Sequence, residues 1–263
     1  MILREINNKI DRLYLSSVPN IRLIPRLKDF LLPHTVLERL YPFTPHCIFL
    51  QEYRTIYIPI PKVACTTLKQ VCYALIHHRQ GTVKRIHQAS FPTVQPQEID
   101  AYQDHTIFCF VRNPWDRLVS CYADKIRNTS LTNRFYTDGV FNGFLKYKTP
   151  MGYPAFIKGM SFLEFAYTVA NIPDREAENH FRSQYWFLTD KNGRLRITYT
   201  GKYENFQNDF DRLKTIAKWP QECELPHMMQ SKRQDYRQYY TPEIRDIVAE
   251  RYAKDISLFD YHF

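Results

Sequence analysis

The chain has 263 residues, 44% of them hydrophobic and 15% aromatic, which is typical of a globular protein and excludes a disordered one. Lysine and arginine (36) exceed aspartate and glutamate (27), so the net charge is +9, which favours anionic partners such as nucleic acid, anionic lipid, or phosphorylated and sulfated molecules. No basic run and no zinc-finger spacing is present, so we expect no nucleic-acid partner and no bound metal.

The N-terminal residues carry charges throughout, and nothing there resembles the apolar core of a signal peptide. The sequence contains no run of about 18 apolar residues, so we expect no transmembrane segment. The six cysteines are scattered and form no CxxC pair, which favours free, mostly buried thiols. We therefore expect a cytoplasmic protein, and the sequence does not indicate its oligomeric state.

The order of the predicted elements indicates an α/β fold. Residues 1–45 are rich in leucine, isoleucine, arginine and proline, and they predict an N-terminal helical extension. Three apolar runs then predict strands, and each precedes a segment of helical period; the strands are 55–60, 106–111 and 195–200, and the helices lie near 66–79, 114–127 and 204–218. Alternating strands and helices predict a central, mainly parallel sheet flanked by helices, in a single domain over 1–263. A last helix is predicted near 242–255.

Residues 128–160 predict an insertion between the second strand–helix pair and the third. Four of the chain's seven glycines fall there, among aromatic residues and lysines. Such a segment is typical of a lid that binds an acceptor molecule, and equally of an ordinary insertion whose aromatic rings pack onto the core.

The stretch IPIPKVACTTLKQVCYALI (58–76) places a charge and two hydroxyls between a strand and a helix. Apolar residues repeat at helical spacing: Leu68, Val71, Cys72 and Leu75. The helix therefore begins near Thr66, and its N-terminal amides, with Thr66, Thr67 and Lys62, predict an anion site. The stretch lacks the GxxxxGK[ST] pattern of a Walker loop, so it does not by itself indicate a nucleoside triphosphate.

A second strand-to-helix junction lies in FCFVRNPWDRLVSCYADKI (108–126). Asn113 suits the N-cap and Pro114 the first position of a helix, which leaves Arg112 without a structural role. A guanidinium group at this point can bind a phosphate through two hydrogen bonds, and Ser120 could add a hydroxyl. Parallel strands end at the same edge of a sheet, so the two junctions predict one ligand with two anionic ends.

The two segments PKVACTTLK (61–69) and FVRNPWDRLVSCY (110–122) resemble the paired motifs of sulfotransferases that use 3′-phosphoadenosine 5′-phosphosulfate (PAPS), especially the carbohydrate group (family 2) with its soluble bacterial members. The resemblance covers residues 55–263 and implies a P-loop-NTPase-like, three-layer fold. Glycine often stands in the family's first loop where this chain has Ala64. Further segments match the family: HFRSQYWFL, GKYENFQNDF, LPHMMQSKRQDYRQYYT and YAKDISLFDYHF.

The resemblance implies roles for particular residues in binding PAPS and its product 3′-phosphoadenosine 5′-phosphate (PAP). The loop that would hold the 5′-phosphosulfate comprises Lys62, Val63, Ala64, Cys65, Thr66 and Thr67. Lys62 would also stabilise the charge that develops as the sulfuryl group leaves. Arg112 and Ser120 would hold the 3′-phosphate. A later loop would close over the nucleotide or form only a solvated basic turn; it contains Ser231, Lys232 and Arg233.

The acceptor hydroxyl must lose a proton, so a general base is required. His87 is our candidate because related sequences often have a histidine at this distance before the second motif. His180, His227 or a glutamate are the alternatives. His180, Arg182 and Gln184 are candidates for contact with the acceptor, which the resemblance implies to be a carbohydrate or glycoconjugate.

Two further functions remain open from the sequence alone. An ATP-dependent kinase could use the same type of scaffold, although the Walker motif is absent. A non-catalytic protein could use the positive charge to bind polyanions, and its affinity would then fall steeply with salt.

Overall fold

The computed structural model describes residues 46–79, 81–127, 144, 146–149, 151, 152, 155–226 and 234–263. The predicted N-terminal extension, most of the predicted insertion and the late basic loop (Ser231, Lys232, Arg233) lie outside the described residues. The described part of the chain divides into two compact units, a small one between 144 and 157 and a large one that contains the rest. The single domain over 1–263 stays a prediction.

A five-stranded sheet forms the centre of the large unit. The strands are β1 (Cys47–Leu50), β2 (Thr55–Tyr57), β3 (Thr93–Val94), β4 (Thr106–Val111) and β5 (Tyr199–Lys202), in the spatial order β3-β1-β2-β4-β5. The pairs β2–β4 and β4–β5 are parallel, whereas β1 is antiparallel to both of its neighbours. Four strands therefore run in one direction, which confirms the predicted mixed α/β fold with a mainly parallel sheet.

Seven α-helices accompany the sheet in the described residues. They are α1 (Cys65–Ile76), α2 (Pro114–Lys125), α3 (Phe162–Ala170), α4 (Tyr185–Leu188), α5 (Phe206–Ala217), α6 (Pro242–Arg251) and α7 (Ala253–Phe259). Asn113 caps α2 as predicted, because its side chain accepts hydrogen bonds from the amides of Trp115 and Asp116. None of these helices is long and apolar enough to cross a membrane.

Some predicted boundaries differ from the structure. The third predicted strand starts at Tyr199 rather than 195, because Leu195 and Arg196 pair with the chain around Leu188 and Thr189 instead of with β4. The predicted last helix is two helices that meet at Tyr252. The short strands β1 and β3 and the helices α3 and α4 were not predicted.

Strand β4 packs closely against its two parallel neighbours. Phe108 on β4 stacks on Tyr57 of β2, with ring centroids 4.9 Å apart. On the other side, a Cβ atom at Gly201 of β5 would overlap the Phe110 ring, so only glycine allows this approach. The carboxyl ends of these parallel strands lie side by side. The chain leads from the end of β2 to Lys62 and from the end of β4 to Arg112.

Candidate active site

The loop that follows β2 has an unusual backbone. Lys62 has a φ of 68° and Ala64 a φ of 47°, both in the left-handed region that favours glycine. A residue with a side chain pays roughly 1–2 kcal/mol for this conformation. Strain of this kind is common in loops that bind ligands, and it explains why glycine suits the position of Ala64.

The N-terminus of α1 offers backbone donors. The first helical hydrogen bond runs from the Leu68 amide to the Ala64 carbonyl at 3.0 Å, so the amides of Cys65, Thr66 and Thr67 have no acceptor within the helix. No side chain caps this end, and its first turn contains no acidic residue. These three amides therefore suit an anion, as predicted for the loop.

Val63 differs from the other residues of the loop. Its side chain is buried in the core, and its amide donates to the Ile60 carbonyl at 3.3 Å. The Val63 amide is thus engaged in the turn itself, and its role in binding an anion stays a prediction.

Lys62 forms an ion pair with helix α2. Its Nζ atom donates to Oδ2 of Asp124 at 2.9 Å, and Nζ of Lys125 lies 3.2 Å from the same oxygen. Burial raises the pKa of Asp124, but the charges and hydrogen bonds of the two lysines outweigh burial, so the pKa lies below its usual value. Asp124 is therefore ionised at neutral pH.

Arg112 lies directly beside the first loop. Its Nη1 atom donates to the Lys62 carbonyl at 3.0 Å, and its Nε and Nη2 atoms each lie 2.7 Å from Oδ2 of Asp116. The guanidinium group also lies 4.1 Å from the ring centroid of Tyr203, a cation–π contact. The two sequence motifs are thus in direct contact at adjacent strand ends.

Gln184 holds the backbone of Arg112 from inside the core. Its Oε1 atom accepts from the Arg112 amide at 2.9 Å, and its Nε2 atom donates to the Arg112 carbonyl at 2.8 Å. Asp255 on α7 accepts from the amides of Gln184 and Tyr185 at 2.7 and 2.8 Å. Because Gln184 is fully buried, it supports Arg112, and this position does not agree with the expectation that it contacts an acceptor.

Helix α2 connects the two motifs. Ser120 is buried on α2, one turn beyond Asp116. Arg117 donates to the carbonyls of Pro61 at 3.0 Å, Arg182 at 2.7 Å and Asn179 at 3.0 Å. The buried arginine therefore fixes the first loop, through Pro61, to α2.

His87 contacts the first turn of α1. Its Nε2 atom lies 2.9 Å from Oγ1 of Thr66, and its Nδ1 atom lies 3.5 Å from Nζ of Lys69. Because an ammonium group can only donate, this arrangement favours the tautomer in which Nε2 carries the proton and Nδ1 carries the lone pair. Partial burial lowers the pKa of His87, and the charges of Lys69, His180 and Lys125 lower it further.

His180 lies near enough to His87 to affect its pKa. Its Nδ1 atom lies 2.9 Å from Oε1 of Glu178, and its amide donates to Oε2 of the same carboxylate at 2.7 Å. The Arg182 guanidinium lies 6.0 Å from the ring centroid of Trp186. His180 and Arg182 are both partly exposed, as an acceptor contact requires.

The comparisons with known proteins agree with this arrangement. A sequence profile of the sulfotransferase family matches residues 45–262. The chain belongs to the sulfotransferase family. Members of this family use PAPS, so the chain is a PAPS-dependent transferase.

The sulfotransferase is similar to curated vertebrate proteins. It is 25% identical to carbohydrate sulfotransferase 11 of Rattus norvegicus, over 82% of this chain and 67% of the relative. It is also 25% identical to carbohydrate sulfotransferase 14 of Homo sapiens and 26% identical to that of Danio rerio, over 82% of this chain and 60 and 62% of those relatives. No solved structure matches the chain significantly.

The residues of the sulfotransferase fit a nucleotide with two anionic ends. The uncapped amides at α1 and the Lys62 ammonium lie at one strand end, and the Arg112 guanidinium and Ser120 lie at the next. Within the described part of the chain, no group of three potential ligands could hold a metal ion.

Two residues at the sulfotransferase site were missed by the sequence analysis. Neither Asp116 nor Asp124 was assigned to the site from the sequence, yet each binds one of the two predicted cations. Their spacing of four residues on either side of Ser120 was a usable signal, because residues four apart share a helix face.

Proposed function

We propose that this sulfotransferase transfers the sulfuryl group of PAPS to a hydroxyl group of a carbohydrate. The hydrogen bond from Arg112 to the Lys62 carbonyl carries the proposal, because it joins the two predicted anion sites into one. The choice of a carbohydrate rests on the relatives, which are named carbohydrate sulfotransferases.

The donor would lie along the carboxyl ends of β2 and β4. The amides of Cys65, Thr66 and Thr67, with Lys62, suit the 5′ end, and Arg112 with Ser120 suits the 3′-phosphate. PAPS supplies an activated sulfuryl group when it is bound. Lys62 contributes a positive charge at the end where the bond to sulfur breaks, and this charge stabilises the transition state.

His87 is the proposed general base. Its lone pair resides on Nδ1 in the favoured tautomer, and the lowered pKa keeps the imidazole neutral near pH 7. Nζ of Lys69 lies 3.5 Å from this nitrogen. A hydroxyl group that displaces Lys69 could donate its proton to the Nδ1 lone pair. His180, which Glu178 contacts at 2.9 Å, lies near enough to His87 to lower its pKa, and this supports an acceptor position near both histidines.

The proposal is tested by two measurements on the purified chain. Calorimetric titration should show tight binding of PAP and much weaker binding of ATP, and labelled PAPS should transfer sulfate to at least one member of a glycan panel. Transfer to phenols or simple alcohols but to no glycan would contradict the carbohydrate acceptor. Preference for ATP would favour a kinase.

The variant Arg112→Ala sharpens this test. Loss of a charged hydrogen-bonding group should weaken PAP binding about ten- to a hundredfold. Arg251→Ala is a matched control, because Arg251 and Asp174 form a similarly buried pair at 2.7 Å, with 8 and 10% exposed side chains against 7 and 13% for Arg112 and Asp116. The control should lose stability without losing PAP affinity. Equal affinity of Arg112→Ala and the parent chain would refute the two-anion site.

A further inference from the structure

Helix α2 presents carboxylates to both cations of the candidate donor site. Asp116 Oδ2 lies 2.7 Å from Nη2 of Arg112, and Asp124 Oδ2 lies 2.9 Å from Nζ of Lys62. Ser120 lies between them in the sequence. Because positions 116, 120 and 124 are four residues apart, all three side chains project from one face of the helix.

The two ion pairs differ in burial. The side chains of Arg112 and Asp116 are only 7 and 13% exposed, so separating them would leave two nearly buried charges without each other. Lys62 and Asp124 are 16 and 48% exposed, and ion pairs that water reaches are weak. The pair at Lys62 can therefore open at low cost, whereas the pair at Arg112 belongs to the framework.

A third charge makes this opening cheaper still. Nζ of Lys125 lies 3.2 Å from the same Asp124 oxygen that binds Lys62. When Lys62 moves away, Asp124 therefore keeps a positively charged neighbour. The carboxylate has two lysines and can release one of them.

We infer that Asp124 is a counter-ion that holds the Lys62 ammonium group while no donor is bound and releases it to the anionic donor. Asp124 is a positioning residue, because it acts through Lys62. The inference deepens the proposed function and rests on it, since it takes PAPS as the anion that receives Lys62.

The counter-ion has two effects on binding. It restricts a long, flexible side chain to the edge of the site, which reduces the conformational entropy lost when the donor binds. It also competes with the donor for the same ammonium group. The competition should have the larger effect on the measured affinity. An anion can take Lys62 from Asp124 only if it binds the ammonium group more strongly than this single, half-exposed carboxylate does.

The decisive experiment measures PAP binding by the variant Asp124→Asn. Removing the competing carboxylate should tighten PAP binding about two- to fivefold, which is the range expected for one exposed ion pair. Asp124→Glu keeps the charge and should restore affinity close to that of the parent chain. Thermal unfolding of each variant checks that the fold is retained.

Asp211→Asn is the matched control. Asp211 on α5 binds Lys214 at 3.3 Å, and their side chains are 50 and 13% exposed, nearly the same as for Asp124 and Lys62. The control removes the same unit of charge from an equivalent ion pair, so it reproduces any change in long-range attraction. It should leave PAP affinity unchanged.

A second readout does not depend on the nucleotide. Brief acetylation followed by peptide mass spectrometry should show Lys62 reacting about threefold faster in Asp124→Asn, because the ion pair no longer covers its ammonium group. Lys214 in Asp211→Asn should show a similar increase, which calibrates the method.

The outcomes separate the inference from the proposed function. If the parent chain binds PAP but Asp124→Asn binds it equally or more weakly, with an unchanged melting temperature, Asp124 is not a competing counter-ion. If the parent chain does not bind PAP, the proposed function fails, and the release of Lys62 to PAPS fails with it. The acetylation rate of Lys62 then tests the ion pair alone: an unchanged rate would show that Asp124 does not hold the ammonium group, and a faster rate would show that it does.

Discussion

The imidazole of His87 is half-buried, and its lone pair points away from Thr66. Partial burial and the nearby charge of Lys69 lower its pKa below the usual value of about 6.5, so the neutral form is present throughout the physiological range. A general base with this property loses activity only in acid.

The rate of sulfate transfer should therefore rise with pH up to the lowered pKa of His87 and stay level above it. His87→Gln should reduce kcat about a hundred- to ten-thousandfold and should abolish this acidic limb, with little change in PAP binding. The pH profile of kcat for the parent chain and the variant is the measurement. His105→Gln serves as a control, because the pKa of His105 is also lowered by burial and by Arg54. An acidic limb that persists in His87→Gln would assign the base elsewhere, with His180 as the next candidate.

At the start of α1, alanine suits neither the conformation nor the position of Ala64. The left-handed backbone favours glycine, and the N-cap position also favours glycine over alanine. The strained turn brings the amides of Cys65, Thr66 and Thr67, which have no acceptor within the helix, to the end of β2.

Replacing Ala64 by glycine should relieve this strain. The steric gain of roughly 1–2 kcal/mol is partly offset by the greater freedom of glycine in the unfolded chain, so the variant should gain up to about 1 kcal/mol in the free energy of unfolding. Ala74→Gly, in the last turn of the same helix, should instead lose up to about 1 kcal/mol. Denaturant unfolding of both variants is the measurement. A loss at Ala64 as large as the loss at Ala74 would show that the loop is not strained.

The elements around the site were predictable where a local signal marks them. Apolar runs and helical spacing predicted β4 to the residue and the starts of α1 and α2 to within one residue, whereas these two helices end two or three residues earlier than predicted; Asn113 marked the start of α2. The short strands β1 and β3 carry no such signal, because two to four residues are too few for a period and their pairing depends on distant chain.

The site was predictable only in part for a similar reason. Lys62 and Arg112 follow strands and are visible in the sequence as charges without a structural role. The pairing of Lys62 with Asp124, and the place of Gln184 beneath Arg112, depend on contacts between segments that lie 62 and 72 residues apart. Single-sequence patterns describe local structure and do not contain such pairings.

The large unit is connected from its C-terminal helices to the strand ends by a buried carboxylate. Asp255 binds the amides of Gln184 and Tyr185, and Gln184 in turn holds Arg112. Burial raises the pKa of Asp255 to about 6, against the lowering effect of the two amide bonds. The carboxyl group therefore stays protonated to a higher pH in the folded chain than in the unfolded chain.

This raised pKa makes the stability of the whole unit depend on pH. The unfolded aspartate has a pKa of about 3.9, so the contribution of Asp255 is fully present below pH 4 and is lost as the pH rises through about 6. Asp255→Asn removes this dependence. Between pH 4 and 7, the free energy of unfolding of the variant should rise by about 2–3 kcal/mol relative to the parent chain. Urea unfolding across this range is the measurement, and parallel curves would show that Asp255 keeps an ordinary pKa.

The hydrogen bond from the Arg112 side chain to the carbonyl of Lys62 has a mechanical consequence. This hydrogen bond joins the two anion sites proposed for the donor, so a movement of one site should move the other. A ligand that bears only one of the two anionic groups would have to align both sites with the binding energy of that one group. The site should therefore bind complete donors in preference to their fragments.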